Sequence, residues 1–166
     1  MTAAEVILAL VTAQRGGELL LSRAHTKALM ARGAVEIAPG HYPLMVAVHS
    51  AWLMSLWAFG YDQPIDIVAL VIYLALQALR VWVMATLGAR WTTRIIVLPN
   101  APLVTSGPYR YLRHPNYAVV VGEIAMLPLT LQLPAVAVIF TLLNAIVLFI
   151  RIRAENQALD ATQQTR

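Results

Sequence analysis

Gly107-Pro108-Tyr109-Arg110-Tyr111-Leu112-Arg113-His114-Pro115-Asn116-Tyr117 is a polar, aromatic, turn-forming island in a chain that is almost wholly apolar on either side of it. Its eleven residues hold two arginines, a histidine, three tyrosines and two prolines. His114 precedes a proline, which pushes it out of the helical region. Pro115 suits the first position of a helix. The first N–H groups of such a helix lack intrahelical partners and can hold a polar or anionic group. The stretch therefore predicts a loop closing onto a helix N-terminus, with Tyr109, His114 and Tyr117 as walls of a pocket.

The surroundings of the island set the class. The chain has 166 residues, is 60% hydrophobic and 12% charged, and has a mean hydropathy of +0.69. Soluble domains carry about 25% charged residues. These values predict an all-α integral membrane protein built as a single membrane-embedded domain over 1–166. A membrane helix needs about 20 mostly apolar residues. The apolar runs predict about five transmembrane helices, near 3–21, 42–59, 65–87, 117–131 and 133–150, with a catalytic region over 88–166. There is no cysteine, which excludes disulfides and thiolate metal sites. The net charge of +4 is modest and reads as topology rather than nucleic-acid binding. No basic segment precedes the run from Val6 to Ala13, so a cleaved signal peptide is not expected.

Polar residues inside apolar runs are the informative ones. Arg15 and Glu18, three apart, share a helical face and can pair. Two readings stand: an interfacial helix end with snorkelling side chains, or an inward-facing polar cluster. Residues 22–38 are mixed and basic, as in a helix lying at the surface. His49 lies in the second run, Arg80 in the third, and Glu123 in the fourth. Glu123 either pairs with Arg80 or Arg113 or faces a substrate head group. Asn144 reads as an interhelical hydrogen-bonding residue. The loop from Gly88 to Asn116 is long enough to imply function, and Trp91–Val97 within it suits a short strand or re-entrant segment rather than a real sheet. The loops at 60–64 and near Gln132 contain no Lys or Arg, whereas the alternate segments are basic. The positive-inside pattern then places the N-terminus outside, with the island and the C-terminal end cytoplasmic.

Two motifs carry a resemblance. Arg113-His114-Pro115-Asn116-Tyr117, preceded by Val104-Thr105-Ser106-Gly107-Pro108-Tyr109, resembles the signature of the isoprenylcysteine carboxyl methyltransferase family. Phospholipid methyltransferases and membrane sterol reductases carry relatives of that first motif. Arg151-Ile152-Arg153-Ala154-Glu155-Asn156-Gln157-Ala158-Leu159 resembles the family's C-terminal Arg-x-x-x-Glu-Glu segment, with Asn156 where the family usually has a second Glu. Gly33-Ala34-Val35-Glu36 and His41-Tyr42-Pro43 resemble its small bacterial members. The resemblance implies S-adenosylmethionine as cofactor, held by Arg94, Ala101, Pro102, Leu103, Val104, Tyr109, His114, Pro115, Asn116, Tyr117 and Glu155. It implies that Arg151 faces the methyl acceptor, and Glu123 is the second candidate catalytic residue. Small bacterial members look like enzymes that O-methylate alkylpyrones or alkylresorcinols. The acceptor class is thus a lipid-tailed carboxylate or acidic hydroxyl, and the location a bacterial plasma membrane.

The chemistry asked of these residues is modest. A carboxylate such as Glu155 can accept from the cofactor's ammonium or hydroxyls, and aromatic faces favour a sulfonium. Methyl transfer is an in-line displacement governed by positioning, and acidic oxygen nucleophiles need no strong base. Arg151 and Glu155, four apart, share a helical face. Their alternative use is a simple salt bridge. Two other classes compete: an NADPH-dependent sterol-reductase-like enzyme, for which the chain is short, and a non-enzymatic membrane transport subunit, which leaves the island unexplained.

Overall fold

A computed structural model describes residues 1–99 and 101–164, with side chains in the last helix through Glu155. Five helices dominate it. Helix α1 spans Ala3–Met30, α2 Tyr42–Gly60, α3 Ile67–Leu87, α4 Pro115–Thr130 and α5 Pro134–Gln164. The segments Pro39–Gly60, Ile67–Arg90 and Pro134–Glu155 are long and apolar enough to cross a membrane. Helix α1 is longer still, about 42 Å at 1.5 Å per residue, but carries charge at its middle. Helix α4, about 24 Å long by the same rise, packs against α3 and α5.

Local chemistry sets the helix ends. Thr2 Oγ1 accepts from the Glu5 N–H (3.1 Å) while the Thr2 N–H donates to Glu5 Oε2 (2.8 Å), a reciprocal capping box. At the other end of α1, Gly33 adopts φ +84°. Its N–H donates to the Met30 carbonyl (3.0 Å) and that of Ala34 to the Leu29 carbonyl (3.1 Å), the Schellman arrangement. Asp66 caps α3 by accepting from the Ala69 N–H (2.8 Å). Pro115 opens α4 after a non-helical His114 (φ −130°, ψ 63°), as the island predicts.

Residues 22–30 do not form a separate surface helix; they continue α1. The reason is a single inward stripe of Ala4, Leu8, Val11, Glu18, Ser22 and Leu29, all buried, that runs past the expected end. Between the helices, Val35–Glu36 (β1) pairs antiparallel with Ile96–Val97 (β2), Val35 opposite Val97. This two-residue ribbon is the only sheet among the described residues. It ties the chain after α1 to the loop after α3.

The apolar core lies toward the Gly60 end of the bundle, where Leu8, Trp52, Leu56, Tyr73, Leu127, Leu131 and Phe140 meet. Small residues permit the close approaches. A Cβ on Gly122 would come within 2.7 Å of Leu76 Cδ1, so glycine there lets α4 approach α3 without displacing the Leu76 side chain. The outward faces of α3 and α5 expose Val68, Val71, Trp82, Ile139, Leu142 and Ile146, the surface expected of helices in lipid.

Candidate functional site

At the opposite end of the bundle the chain from Gly88 to Tyr117 folds over the helix ends and encloses two adjoining cavities. The larger has a volume of about 650 Å³, within the range of roughly 300–1,000 Å³ typical of small-molecule sites. Arg94, Ala101, Pro102, Leu103, Val104, Tyr109, His114, Asn116, Tyr117, Arg151 and Glu155 all line it. Of the cofactor candidates, Pro115 alone does not face it; Pro115 is buried at the start of α4. Trp91, Thr92, Thr105 and Arg113 line it too, although the resemblance assigns them no part in holding the cofactor.

The loop is held by many small anchors. Arg90 Nη1 donates to the Pro102 carbonyl (2.6 Å), and Trp91 is buried. Gly107 sits at φ +55°, and a Cβ there would lie 2.5 Å from Thr86 Oγ1, so glycine lets the turn Gly107–Arg110 dock on α3. Arg94 is committed twice: Nη1 donates to Glu36 (2.7 Å), and the guanidinium lies 4.1 Å from the Tyr42 ring centroid. Thr93 is the hub. Its N–H donates to Ser22 Oγ (2.8 Å), its hydroxyl meets Ser22 and Tyr42, and its carbonyl accepts from Arg151 Nη1 (3.0 Å).

Arg151 and Glu155 share a face of α5 but turn to different partners. Arg151 is buried, with its guanidinium on the Thr93 carbonyl and 5.6 Å from the Tyr117 ring centroid. Glu155 accepts a short hydrogen bond from the Tyr117 hydroxyl and lies 3.8 Å from His114 Nδ1. The His114 and Tyr117 rings stack at 5.3 Å. Burial, and then the Glu155 charge, push the Tyr109 phenol up to about 12. The start of α4 is less open than its sequence implies: the N–H groups of Tyr117 and Ala118 both donate to the His114 carbonyl (3.1 and 3.3 Å). Asn156 lies outside the residues whose side chains are described.

The second cavity, about 190 Å³, continues inward between the helices. Asn116, Tyr117, Trp91, Thr92 and Arg151 line both cavities and form their common wall. Most of its surface is apolar, from Leu19, Val46, Trp52, Leu53, Val120 and Val147 among others. Glu123 is here, not in the larger cavity. It accepts from Arg80 Nη1 (2.7 Å), Arg15 Nη2 (2.9 Å) and Gln77 (2.7 Å), while Arg80 also grips Glu18 through two bonds of 2.6 Å. Arg15 and Glu18 therefore belong to an inward cluster, not to an interfacial helix end. Glu123 pairs with Arg80, one of its two anticipated partners, and with Arg15, which sequence spacing did not connect to it. Asn144, read as an interhelical link, is wholly buried and has no hydrogen-bond partner for either side-chain atom.

A helical bundle with a lipid-like exterior, whose signature loop stands between a larger cavity and a more apolar one, is the frame on which the sequence comparison sets the class, a membrane methyltransferase. The chain belongs to the isoprenylcysteine carboxyl methyltransferase (ICMT) family, whose sequence profile matches residues 68–161. It is 37% identical over 162 residues to the uncharacterized protein YpbQ of Bacillus subtilis, covering 93% of this chain and 95% of that one. An uncharacterized protein of Haemophilus influenzae is 27% identical over 161 residues, covering 93% and 94% of the two chains. No solved structure matches the chain significantly.

Proposed function

We propose that the protein is an integral membrane S-adenosylmethionine-dependent O-methyltransferase, with the cofactor in the larger cavity and a lipid-tailed acceptor in the smaller one. The observation that carries this reading is the wall the two cavities share at Asn116, Tyr117 and Arg151. Two substrates that meet only there are brought to one point, and positioning is the main requirement of a displacement. The residues present fit the cofactor chemically. Glu155 offers a carboxylate to ammonium or hydroxyl groups, Tyr109, His114 and Tyr117 offer aromatic faces to a sulfonium, and the loop 101–104 offers an apolar flank. When bound, S-adenosylmethionine supplies an electrophilic methyl group.

The chain's own contribution is orientation and exclusion of water. Arg151, held on the Thr93 carbonyl and beside the Tyr117 ring, presents a fixed guanidinium to an anionic oxygen. That oxygen belongs to an isoprenylcysteine-type carboxylate or to an acidic hydroxyl of an alkylpyrone or alkylresorcinol; both ionise without a strong base. Glu123 stands deeper in the acceptor cavity, bound by two arginines, and shapes that cavity's polar floor. The acceptor's tail reaches the cavity from the bilayer, and the basic loops set the N-terminus outside and the cofactor entrance on the cytoplasmic face of a bacterial plasma membrane.

Binding of radiolabelled S-adenosylmethionine to detergent-purified protein tests the reading. The wild type should bind, and His114→Ala and Tyr117→Ala should weaken binding with little loss of folded protein. Absence of binding, or unchanged affinity in both variants, refutes it. Reporter fusions at Asp62 and after the last helix should fall on opposite sides of the membrane; a shared side would overturn the orientation.

A further inference from the structure

Asn144 is wholly buried, lines the smaller cavity, and has neither Oδ1 nor Nδ2 hydrogen-bonded. An amide left that way is costly, and an apolar residue of similar size would fill the place without that cost. The neighbouring polar groups are different. Arg15 and Arg80 both bond to carboxylates, and Glu18 and Glu123 are both gripped by arginine. Two positive and two negative charges close the floor of the cavity with no charge to spare for an ionised ligand group. Among the described residues on this lining, Arg15 Nε, Trp91 Nε1, Asn116 Oδ1 and Arg151 Nε are also buried without a partner, but each leaves one atom open, whereas Asn144 leaves both a donor and an acceptor.

Its position gives the distance. Asn144 and Arg151 lie seven residues apart on one face of α5, so their Cα atoms are about 10 Å apart along the axis. Helix side chains lean toward the N-terminus, which tilts Arg151 back toward Asn144. The two polar tips thus bracket the length of the cavity, Arg151 at the shared wall and Asn144 deep inside.

We propose that Asn144 binds a second, uncharged polar group of the methyl acceptor, a hydroxyl or carbonyl set apart from the oxygen that receives the methyl group. This rests on the reading of the smaller cavity as the acceptor site. Asn144 is then a specificity-determining residue. An acceptor with a single oxygen function leaves the amide buried and unpaired, and one with two satisfies it. Sites built to bond a hydroxyl discriminate strongly against the analogue that lacks it.

The test uses a phenol and a resorcinol that bear the same pentadecyl tail and differ by one hydroxyl. Binding to the purified full chain is read by quenching of tryptophan fluorescence, since Trp52 and Trp91 line the cavity, and by thermal shift. Methyl transfer from radiolabelled S-adenosylmethionine is followed in parallel. The wild type should bind the resorcinol roughly 10–100-fold more tightly. Asn144→Leu should reduce that ratio to within about threefold, chiefly by weakening the resorcinol, and the ligand-free variant should melt no lower than wild type because an unpaired buried amide has gone. Asn144→Ala provides the same comparison if the leucine is too bulky. Equal binding of the two ligands by the wild type, a ratio unchanged in both variants, or a markedly lower melting temperature without ligand would overturn the inference. Discrimination that depends on Asn144 without any methyl transfer would uphold Asn144 as the anchor of a second ligand oxygen while sinking the methyltransferase reading. Methyl transfer with an unchanged ratio would do the reverse.

Discussion

Removing Arg80 should expose how the bundle tolerates charge in its interior. Arg80 is 5% exposed and makes three charge-assisted hydrogen bonds, two to Glu18 at 2.6 Å and one to Glu123 at 2.7 Å. With Arg15 the group carries two positive and two negative charges and is neutral. Arg80→Met keeps the length and apolar stem of the side chain but leaves two buried carboxylates to one arginine. Three such bonds sum to about 4.5–9 kcal/mol at roughly 1.5–3 kcal/mol each; relaxation and water entering the adjoining cavity bring the expected loss to about 3–5 kcal/mol, the range for a broken buried ion pair. For a chain of this size that corresponds to a fall of about 6–20 °C in melting temperature, measurable in detergent by tryptophan fluorescence. The decisive variant is the double substitution Arg80→Met with Glu18→Gln. It restores neutrality, because Arg15 remains on Glu123 at 2.9 Å. It should therefore be more stable than Arg80→Met alone by roughly 1 kcal/mol or more, within the coupling range of contacting residues. If the double variant is less stable than the single one, or Arg80→Met costs under about 1 kcal/mol, uncompensated charge is not what the cluster guards against, and the reasoning fails.

Arg151 and Glu155 should separate functionally. Glu155→Gln should raise the dissociation constant for S-adenosylmethionine with the acceptor's KM less affected, whereas Arg151→Ala should leave cofactor binding nearly intact and cost about 1.5–3 kcal/mol in kcat/KM for the acceptor; the opposite split would reverse the assignment. Arg151→Lys should not restore full activity, since a point charge cannot replace the planar fork that rests on the Thr93 carbonyl. Gly107→Ala places a methyl group against Thr86 in a left-handed backbone, so it should destabilise by about 1–3 kcal/mol and weaken cofactor binding; the same substitution at Gly40, where a Cβ meets nothing within 4 Å, should do neither. Tyr109 has a folded-state value near 12 against an ordinary value of 10.0. The folded chain keeps that proton after the unfolded chain has released it, so the contribution to stability is intact below pH 10 and is lost as pH rises toward 12. Tyr109→Phe should remove that part of the alkaline slope and delete one late component of the tyrosinate absorbance titration; loss of a component that titrates at the ordinary value of 10.0 instead would show that the phenol is not buried.

Amino-acid order alone determined a good deal here, wherever the governing physics is local. The apolar runs at 42–59, 65–87 and 133–150 predict helices that begin within two residues of α2, α3 and α5, because a helix in lipid satisfies its own backbone and needs only length and hydropathy. Pro115 marks the first turn of α4 because its ring fixes φ and its missing N–H costs nothing there. Tyr109, His114, Asn116 and Tyr117 of the island and Arg151 and Glu155 of α5 line one cavity, whereas Pro115 does not. Other features depended on tertiary packing. The choice for Arg15 and Glu18 was open in the sequence because their partners, Arg80 and Glu123, lie up to 108 residues away and are reached only when α1, α3 and α4 are packed together. Arg151 and Glu155 look like a salt bridge at spacing four, yet Thr93 and Tyr117 take them instead. Asn144 looks like an interhelical link until its surroundings show a cavity where a partner should be. In each case the chain fixes what a side chain can bond to. The packing of distant helices selects the partner, because hydrogen bonds and ion pairs act over a few ångströms in space with no regard for distance along the sequence.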